Sequence, residues 1–328
     1  MRIAILGFGS VGKGVARVVQ EKDLGITVTG LADSGSGIMD PDGIDLAAAL
    51  ERKATTGFCG DRSLAPLDVV DGADYDALVE VSPTRIEDGE PATTHIVHAL
   101  SRGKHAVTSN KGPIALAHRR LRNLAGSHGV QLRYEATVCG AIPIMHVLQH
   151  DLAGNRVVAL HGVLNGTCNF ILTRMEDEGL TYDQALAEAR EMGYAEADPT
   201  YDVKGIDAAL KLVILANTIW DMGVTLDDVE ITGIDLITPE AIRLACDRET
   251  TIRLIAEAIP EKGLLRVSPR IIPHGHPLLV EGTLNAVTLH TDLAGELTFI
   301  GRGAGSVETA SAVIGDLLSI GEHHAGAH

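Results

Sequence analysis

The sequence predicts an α/β protein, a doubly wound parallel sheet followed by a second, α+β domain. Two observations carry that prediction. Short apolar segments alternate with helix-like ones over the first 135 residues, and past Val138 the alternation gives way to runs of helices and then runs of strands. A length of 328 residues fits two domains at roughly 100–200 residues each.

In the first part the strand candidates are Arg2–Leu6, Thr27–Ala32, Ala77–Val81, His105–Thr108 and Gln131–Tyr134, with helices such as Val11–Gln20 and Thr94–Arg102 between them. The acidic, Gly-rich stretch from Ser34 to Asp45 reads as a long loop. The second part has a strand over Arg156–Leu164 and helices over Thr167–Glu178, Tyr182–Met192 and Asp207–Met222. Strands follow, among them Leu264–Ile271, Leu284–His290 and Glu296–Ile300. Val307–Ile320 is apolar at helical spacing and is expected to return to the first domain. The expected boundaries are residues 1–137, completed by a C-terminal helix over 304–328, and residues 138–303. His323, His324 and His328 read as a frayed tail rather than a metal site.

Composition removes several function classes. Asp plus Glu number 44 against 27 Lys plus Arg, a net charge of −17, which disfavours nucleic acid and anionic membrane surfaces as partners. Four dispersed cysteines without a C-x-x-C pair point to a reducing compartment. The N-terminal apolar run breaks into glycines after six residues, and Leu212–Trp220 is too short to cross a bilayer, so a cytoplasmic location is expected. The acid excess fits a salt-adapted host or a biased genome equally well. Lysines number only eight, against nineteen arginines, so each can be weighed singly.

Gly7-Phe8-Gly9-Ser10-Val11-Gly12 matches G-x-G-x-x-G. With this much glycine, roughly 0.4 such matches arise by chance in a chain of this length, so the weight lies in the context. An apolar strand ends at Leu6, an amphipathic helix begins near Val11, and Asp33 lies 21 residues past Gly12. That is the Rossmann-type dinucleotide fingerprint: a tight turn, a close backbone approach to a pyrophosphate, close helix packing, and an acid for the ribose 2′-hydroxyl. Asp33 favours NAD by repelling a 2′-phosphate. Lys53 or Arg52, folding back after the loop, would neutralise that phosphate and admit NADP.

A second concentration of chemistry runs from Tyr194 to Lys211. Glu196, Asp198, Asp202 and Asp207 lie in a Gly/Pro-punctuated segment entering a helix, where Asp207 and Lys211 are four residues apart on one face. Leu210, Leu212, Ile214 and Leu215 make that helix greasy, so a charged pair on it calls for a reason. Carbonyl reduction by a nicotinamide needs a proton donor, and a Lys tuned by its surroundings can serve. Burial lowers a lysine pKa and a neighbouring Asp raises it, so spacing alone gives no sign for Lys211. Lys111, in Thr108-Ser-Asn-Lys111-Gly-Pro, follows a strand of the first domain, at the end where doubly wound sheets bind ligands.

These segments together resemble the homoserine dehydrogenases. The resemblance runs in order through GFGSVG, TSNKGP (108–113), YEATVCGAIPI (134–144), GVLNGTCNFILTRM (162–175), YAEADPTYDVKGIDAALKL (194–212) and GRGAGSVETASAVIGDLL (301–318). It implies NAD(P)-dependent, reversible reduction of L-aspartate 4-semialdehyde to L-homoserine, a step toward threonine and methionine. By it, Lys211 is the proton donor, Lys111 stands between nicotinamide and substrate, Glu196 binds the substrate amino group, and Asp202 and Asp207 complete the site. Ser82 and Thr84 resemble the segment at the nicotinamide ribose, and Gly303 and Gly305 a second backbone approach to the dinucleotide. The carbonyls of Glu135, Val138, Gly140 and Ile142 resemble a monovalent-cation site, commonly sodium, which suits oxygen-only donors. The resemblance further implies a homodimer formed through the second domain. The chain stops near the end of the catalytic unit, so neither a regulatory domain nor threonine feedback is expected.

Two other readings compete. Cys168 at a helix start could be the thiol of an aldehyde-oxidising semialdehyde dehydrogenase, though a small buried hydrophobe is its commoner role. A non-catalytic dinucleotide sensor is the other, against which Lys111, Glu196, Asp207 and Lys211 stand together.

Overall fold

The computed structural model describes residues 1–325, with side chains up to residue 321. The tail histidines, His323, His324 and His328, lie outside the residues whose side chains are described. The backbone divides into two compact units, residues 1–140 with 305–328, and residues 141–304.

The first unit runs β1 (Arg2–Leu6), α1 (Ser10–Glu21), β2 (Thr27–Asp33), β3 (Ser36–Met39), α2 (Leu46–Thr56), α3 (Pro66–Gly72), β4 (Ala77–Glu80), α4 (Ala92–Ser101), β5 (His105–Thr108), α5 (Lys111–Ser127) and β6 (Leu132–Arg133). A last helix, Ser306–Ala325, completes it. The strand order is β3-β2-β1-β4-β5-β6, parallel throughout except for β3. In β1, Ile3 and Ile5 pack with Val15 of α1 and with Val313, Leu317 and Ile320 of the last helix. Ala4 and Leu6 pack on the other side with Val69, Val70 and Tyr75. Apolar side chains on both faces are what a parallel sheet covered by helices on both sides requires, and each fully buried Ile or Leu contributes about 1.5–3 kcal/mol.

The expected long loop from Ser34 to Asp45 instead contains β3, paired antiparallel with β2 from Asp33↔Ser36 to Gly30↔Met39. Asp33 makes the reversal possible. Its Oδ1 accepts from the Gly35 N–H and the Ser36 hydroxyl, both at 2.9 Å, an Asx-type turn that folds the chain back on itself. The strand has four residues with glycine among them, too little for an alternation signal.

The second unit runs α6 (Ile144–Gln149), β7 (Val157–Val163), α7 (Gly166–Glu178), α8 (Tyr182–Glu191), α9 (Thr200–Val203), α10 (Ile206–Trp220), β8 (Glu230–Ile231), α11 (Pro239–Cys246), β9 (Thr250–Ile259), β10 (Leu264–Pro273), β11 (Leu284–Thr291) and β12 (Glu296–Arg302). The sheet order is β12-β11-β7-β9-β10-β8, antiparallel apart from the short β10–β8 pairing. Helices α7, α10 and α11 pack against this sheet. An apolar cluster of Val163, Ile255, Ile272, Leu278, Val280 and Ala286 gathers β7, β9, β10 and β11 around the 278–280 segment. Among the described residues no helix is long and apolar enough to cross a membrane.

Candidate active site

In the first unit the glycine turn has the geometry its motif demands. Gly7 sits at φ +99°, and a Cβ there would come within 2.5 Å of Val81 and Ser82 backbone atoms. A Cβ on Gly12 would lie 2.0 Å from the Gly7 carbonyl, so that glycine admits the close helix–strand contact. A Cβ on Gly9 would meet nothing within 4 Å, which leaves that peptide open to an approaching group. Gly9 is also the N-cap of α1 and brings no side-chain acceptor, so a phosphate is suited to the helix start. Phe8 is a core residue, 1 % exposed, and Ser10 and Val11 open the helix.

Asp33 ends β2 and is nearly buried. Its Oδ2 pairs with Lys53 Nζ of α2 at 2.6 Å. Burial works to raise its pKa, but the bond from Lys53, the Gly35 N–H and Ser36 outweigh it and hold the carboxyl below its usual value. Of the two cations considered from the sequence, Lys53 is the one that folds back, while Arg52 is exposed. Ser82 lies just past β4, Thr84 is exposed, and Lys111 opens α5 behind its N-cap Asn110.

The 135–142 segment begins with a 3-10 turn, Glu135–Thr137, whose first carbonyl accepts from the Val138 N–H at 3.3 Å. Cys139 and Gly140 follow at φ +58° and +51°, and the Ile142 carbonyl accepts from Ile144 N–H at 2.9 Å. The Glu135 N–H donates to Asp316 Oδ2 at 2.9 Å, and burial with the nearby Glu135 charge pushes the Asp316 carboxyl up to about 7. Among the described residues no group of three or more His, Cys, Asp or Glu is disposed to hold a metal ion. Gly303 and Gly305 have local reasons of their own. A Cβ on the former would lie 2.2 Å from the Asn285 side chain, and one on the latter 2.0 Å from Glu308 Oε2.

In the second unit α10 presents Asp207 and Lys211 on one face, 8 % and 7 % exposed, among Leu210, Leu212 and Ile214. Lys211 Nζ lies 2.7 Å from Asp207 Oδ2 and donates to the Leu164 carbonyl at 2.6 Å. Asn165, one residue on, spans the site. Its Nδ2 donates to Asp202 Oδ1 at 2.6 Å and to Asp207 Oδ2 at 2.9 Å. Its Oδ1 accepts the Cys168 N–H at 2.8 Å and so caps α7. Neither Asn165 nor the Leu164 carbonyl follows from the helix pattern, because their partners lie some forty residues away in the chain. The structure therefore brings Asp202, Asp207 and Lys211 together through Asn165. Glu196 is exposed on the loop between α8 and α9. That loop is tied to α7 by the Thr167 hydroxyl donating to the Tyr194 carbonyl at 2.7 Å, and to α8 by Arg190 donating to the Ala197 carbonyl at 3.2 Å.

Cys168 is fully buried, and its Sγ donates to the Asp202 carbonyl at 3.1 Å. Burial, then the charges of Asp202 and Asp207, push the thiol well above its usual value. A nucleophilic cysteine needs the opposite environment. This thiol packs and hydrogen-bonds, while the polar groups around it converge on a lysine.

The homoserine dehydrogenase family model matches residues 143–318, and a glutamate/leucine/phenylalanine/valine dehydrogenase model matches residues 1–75, inside the dinucleotide-type unit. The homoserine dehydrogenase of Methanocaldococcus jannaschii is 46% identical over 98% of both chains. An NAD(+)-dependent homoserine dehydrogenase from Pseudomonas canavaninivorans is 36% identical over 97% of this chain and 96% of its own. Among solved structures, a putative homoserine dehydrogenase from Archaeoglobus fulgidus superposes with a TM-score of 0.92 at 49% identity, covering 98% of this chain and 99% of that one. A hyperthermophilic archaeal homoserine dehydrogenase in complex with NADPH gives 0.85 at 33% identity, covering 98% of each. A family match over more than half the chain and relatives 46% and 49% identical over nearly the full length of both chains agree: the chain belongs to the homoserine dehydrogenase family.

Proposed function

We propose that this chain interconverts L-homoserine and L-aspartate 4-semialdehyde with NAD or NADP. The observation that carries the reading is the buried Lys211, 2.7 Å from Asp207 and bonded to the Leu164 carbonyl, in a site that Asn165 ties to Asp202. When bound, the nicotinamide supplies or accepts the hydride at the substrate carbonyl carbon. Lys211 gives its proton to the carbonyl oxygen during reduction and takes it back during oxidation. Asp207 holds the ammonium in place, and Asp202 adds negative charge beside it. Arginine would not serve at position 211, because it does not release its proton. Glu196 binds the substrate amino group, and Lys111 orients nicotinamide and substrate.

Both cofactors are admitted. Asp33 suits a ribose 2′-hydroxyl, and Lys53 at 2.6 Å is a counter-ion for a 2′-phosphate. The relatives' names divide in the same way, one NAD(+)-dependent and one bound to NADPH. A monovalent cation, sodium first, is held by carbonyls of Glu135, Val138, Gly140 and Ile142, a hard-oxygen set that matches such an ion. The assembly is a homodimer formed through the second unit's sheet.

The test is oxidation of L-homoserine followed at 340 nm with NAD and NADP in parallel, in sodium-free and sodium-containing buffer. Reduction of either cofactor that requires homoserine supports the reading, and none with both cofactors sinks it. Sedimentation at two protein concentrations reports the dimer.

A further inference from the structure

We propose that Glu80 is the positioning residue for the nicotinamide end of the cofactor site, fixing the Ser82–Thr84 turn and, through Asn110, the helix start that carries Lys111. The proposal rests on the nicotinamide-binding reading above and turns on Glu80 and Asn110, which that reading does not use.

Glu80 is the last residue of β4 and is 0 % exposed, following Ala77, Leu78 and Val79, which are apolar and equally buried. A hydrophobe would fill such a strand end without penalty, whereas a carboxylate there must find donors for both oxygens. Glu80 finds them. Oε1 accepts from the Ser82 N–H at 2.8 Å and also from the Ser82 hydroxyl. Oε2 lies 2.6 Å from Nδ1 of His95, a buried residue of α4.

The same residue's carbonyl accepts from the Thr108 hydroxyl at 2.8 Å, at the end of the neighbouring strand. That hydroxyl in turn accepts from the Asn110 N–H at 2.9 Å. Asn110 closes the web. Its Nδ2 donates to the Ser82 and Pro83 carbonyls at 3.1 and 3.2 Å, and its Oδ1 accepts the Gly112 N–H at 3.1 Å, capping α5. Gly7 rests on the same turn, since a Cβ on it would come within 2.5 Å of Ser82 N.

Two segments at the carboxyl ends of parallel strands, those after β4 and β5, therefore share one hydrogen-bonded support against which the Gly7 turn packs, and that is the edge where doubly wound sheets receive ligands. The Ser82 hydroxyl is directed to Glu80, so the outward contacts of the turn fall to Thr84 and the backbone. Glu80 itself acts through these groups.

The experiment compares reduced cofactor, titrated by its own fluorescence, with ADP, which lacks the nicotinamide riboside, titrated by calorimetry on the full chain. Glu80→Leu removes the acceptor. It is expected to weaken NADH or NADPH by about ten-fold or more while ADP affinity stays within about two-fold. Glu80→Gln is the rescue: its oxygen accepts from Ser82, its amide donates to the other His95 tautomer, and binding stays near wild type. Asn110→Asp keeps the cap on Gly112 but loses both donors to the turn. It is expected to follow Glu80→Leu, and it decides the matter should Glu80→Leu not fold. Equal losses for cofactor and ADP, or no loss of cofactor affinity in Asn110→Asp, overturn the proposal. A wild-type chain that binds reduced cofactor no more tightly than ADP overturns the nicotinamide reading as well, and so separates the two failures.

Discussion

Asp207 Oδ2 lies 2.7 Å from Lys211 Nζ on a helix whose other first-turn and second-turn residues are almost all aliphatic. Spacing of four residues is common for surface ion pairs worth a few tenths of a kcal/mol. Burial changes the scale, because removing one partner strands an uncompensated charge at a cost of about 3–5 kcal/mol. Asp207→Asn is therefore expected to lower stability as well as turnover. Lys211→Ala should lower turnover by about a hundred-fold or more, with cofactor affinity by fluorescence titration unchanged. Turnover within a few-fold of wild type would remove Lys211 as proton donor.

Asn165 has two jobs that substitution can separate. Asn165→Asp keeps an acceptor for the Cys168 N–H, so α7 remains capped, yet it replaces the donor to Asp202 and Asp207 with a third carboxylate. Turnover should fall by about ten-fold or more while secondary structure by circular dichroism is kept. Asn165→Ala loses the cap as well, at about 1 kcal/mol. Should the Asp variant turn over like wild type, the amide bridge has no part in the chemistry.

At the other unit, Lys53→Ala leaves Asp33 without its cation. A 2′-phosphate would then meet an unshielded carboxylate, so the Michaelis constant for NADP should rise by about ten-fold more than that for NAD. Equal changes for both would mean that Lys53 serves only Asp33.

The pair also has a pH signature. Asp33 is held below its ordinary pKa, so it contributes stability above about pH 3.9 that is lost as pH falls through the lower folded value. Acid unfolding below about pH 4 should accordingly be steeper for wild type than for Asp33→Asn. Coincident acid transitions for the two proteins would contradict that sign.

Cys168 should resist reagents that need a thiolate. Iodoacetamide at mildly alkaline pH is expected to leave activity intact in the folded protein, and Cys168→Ser, which keeps a donor for the Asp202 carbonyl, should retain turnover within a few-fold. Rapid inactivation that homoserine prevents would restore the thiol to consideration.

Much of this site could be read from the chain before it folded, for reasons that are local. The glycine turn is one contiguous run whose geometry follows from missing Cβ atoms, and the Asp207–Lys211 pair follows from helical period in an aliphatic segment. Asn165 could not be found that way, because its partners are Asp202 and Asp207, brought near only when the start of α7 meets α9 and the first turn of α10. Glu80 was equally hidden, since a Glu closing an apolar strand looks like its solvent-facing end until His95 and Ser82 are seen around it. The β3 strand is not legible in the sequence, because four residues carry no alternation and the turn that makes it depends on one aspartate side chain.

The discontinuity of the first unit bears on the order in which the chain matures. Val313, Leu317 and Ile320 fill the same core as Ile3, Ile5 and Val15, yet residues 141–304 separate them in the sequence. During vectorial synthesis the nucleotide-type sheet emerges first but waits, with the face it shares with α1 only partly covered, until the entire second unit has been made. The unit translated in the middle can close on its own contacts before the one that begins the chain. Early release of the nascent polypeptide would thus leave a greasy sheet surface open to self-association, and the last helix acts as the clasp that ends that exposure.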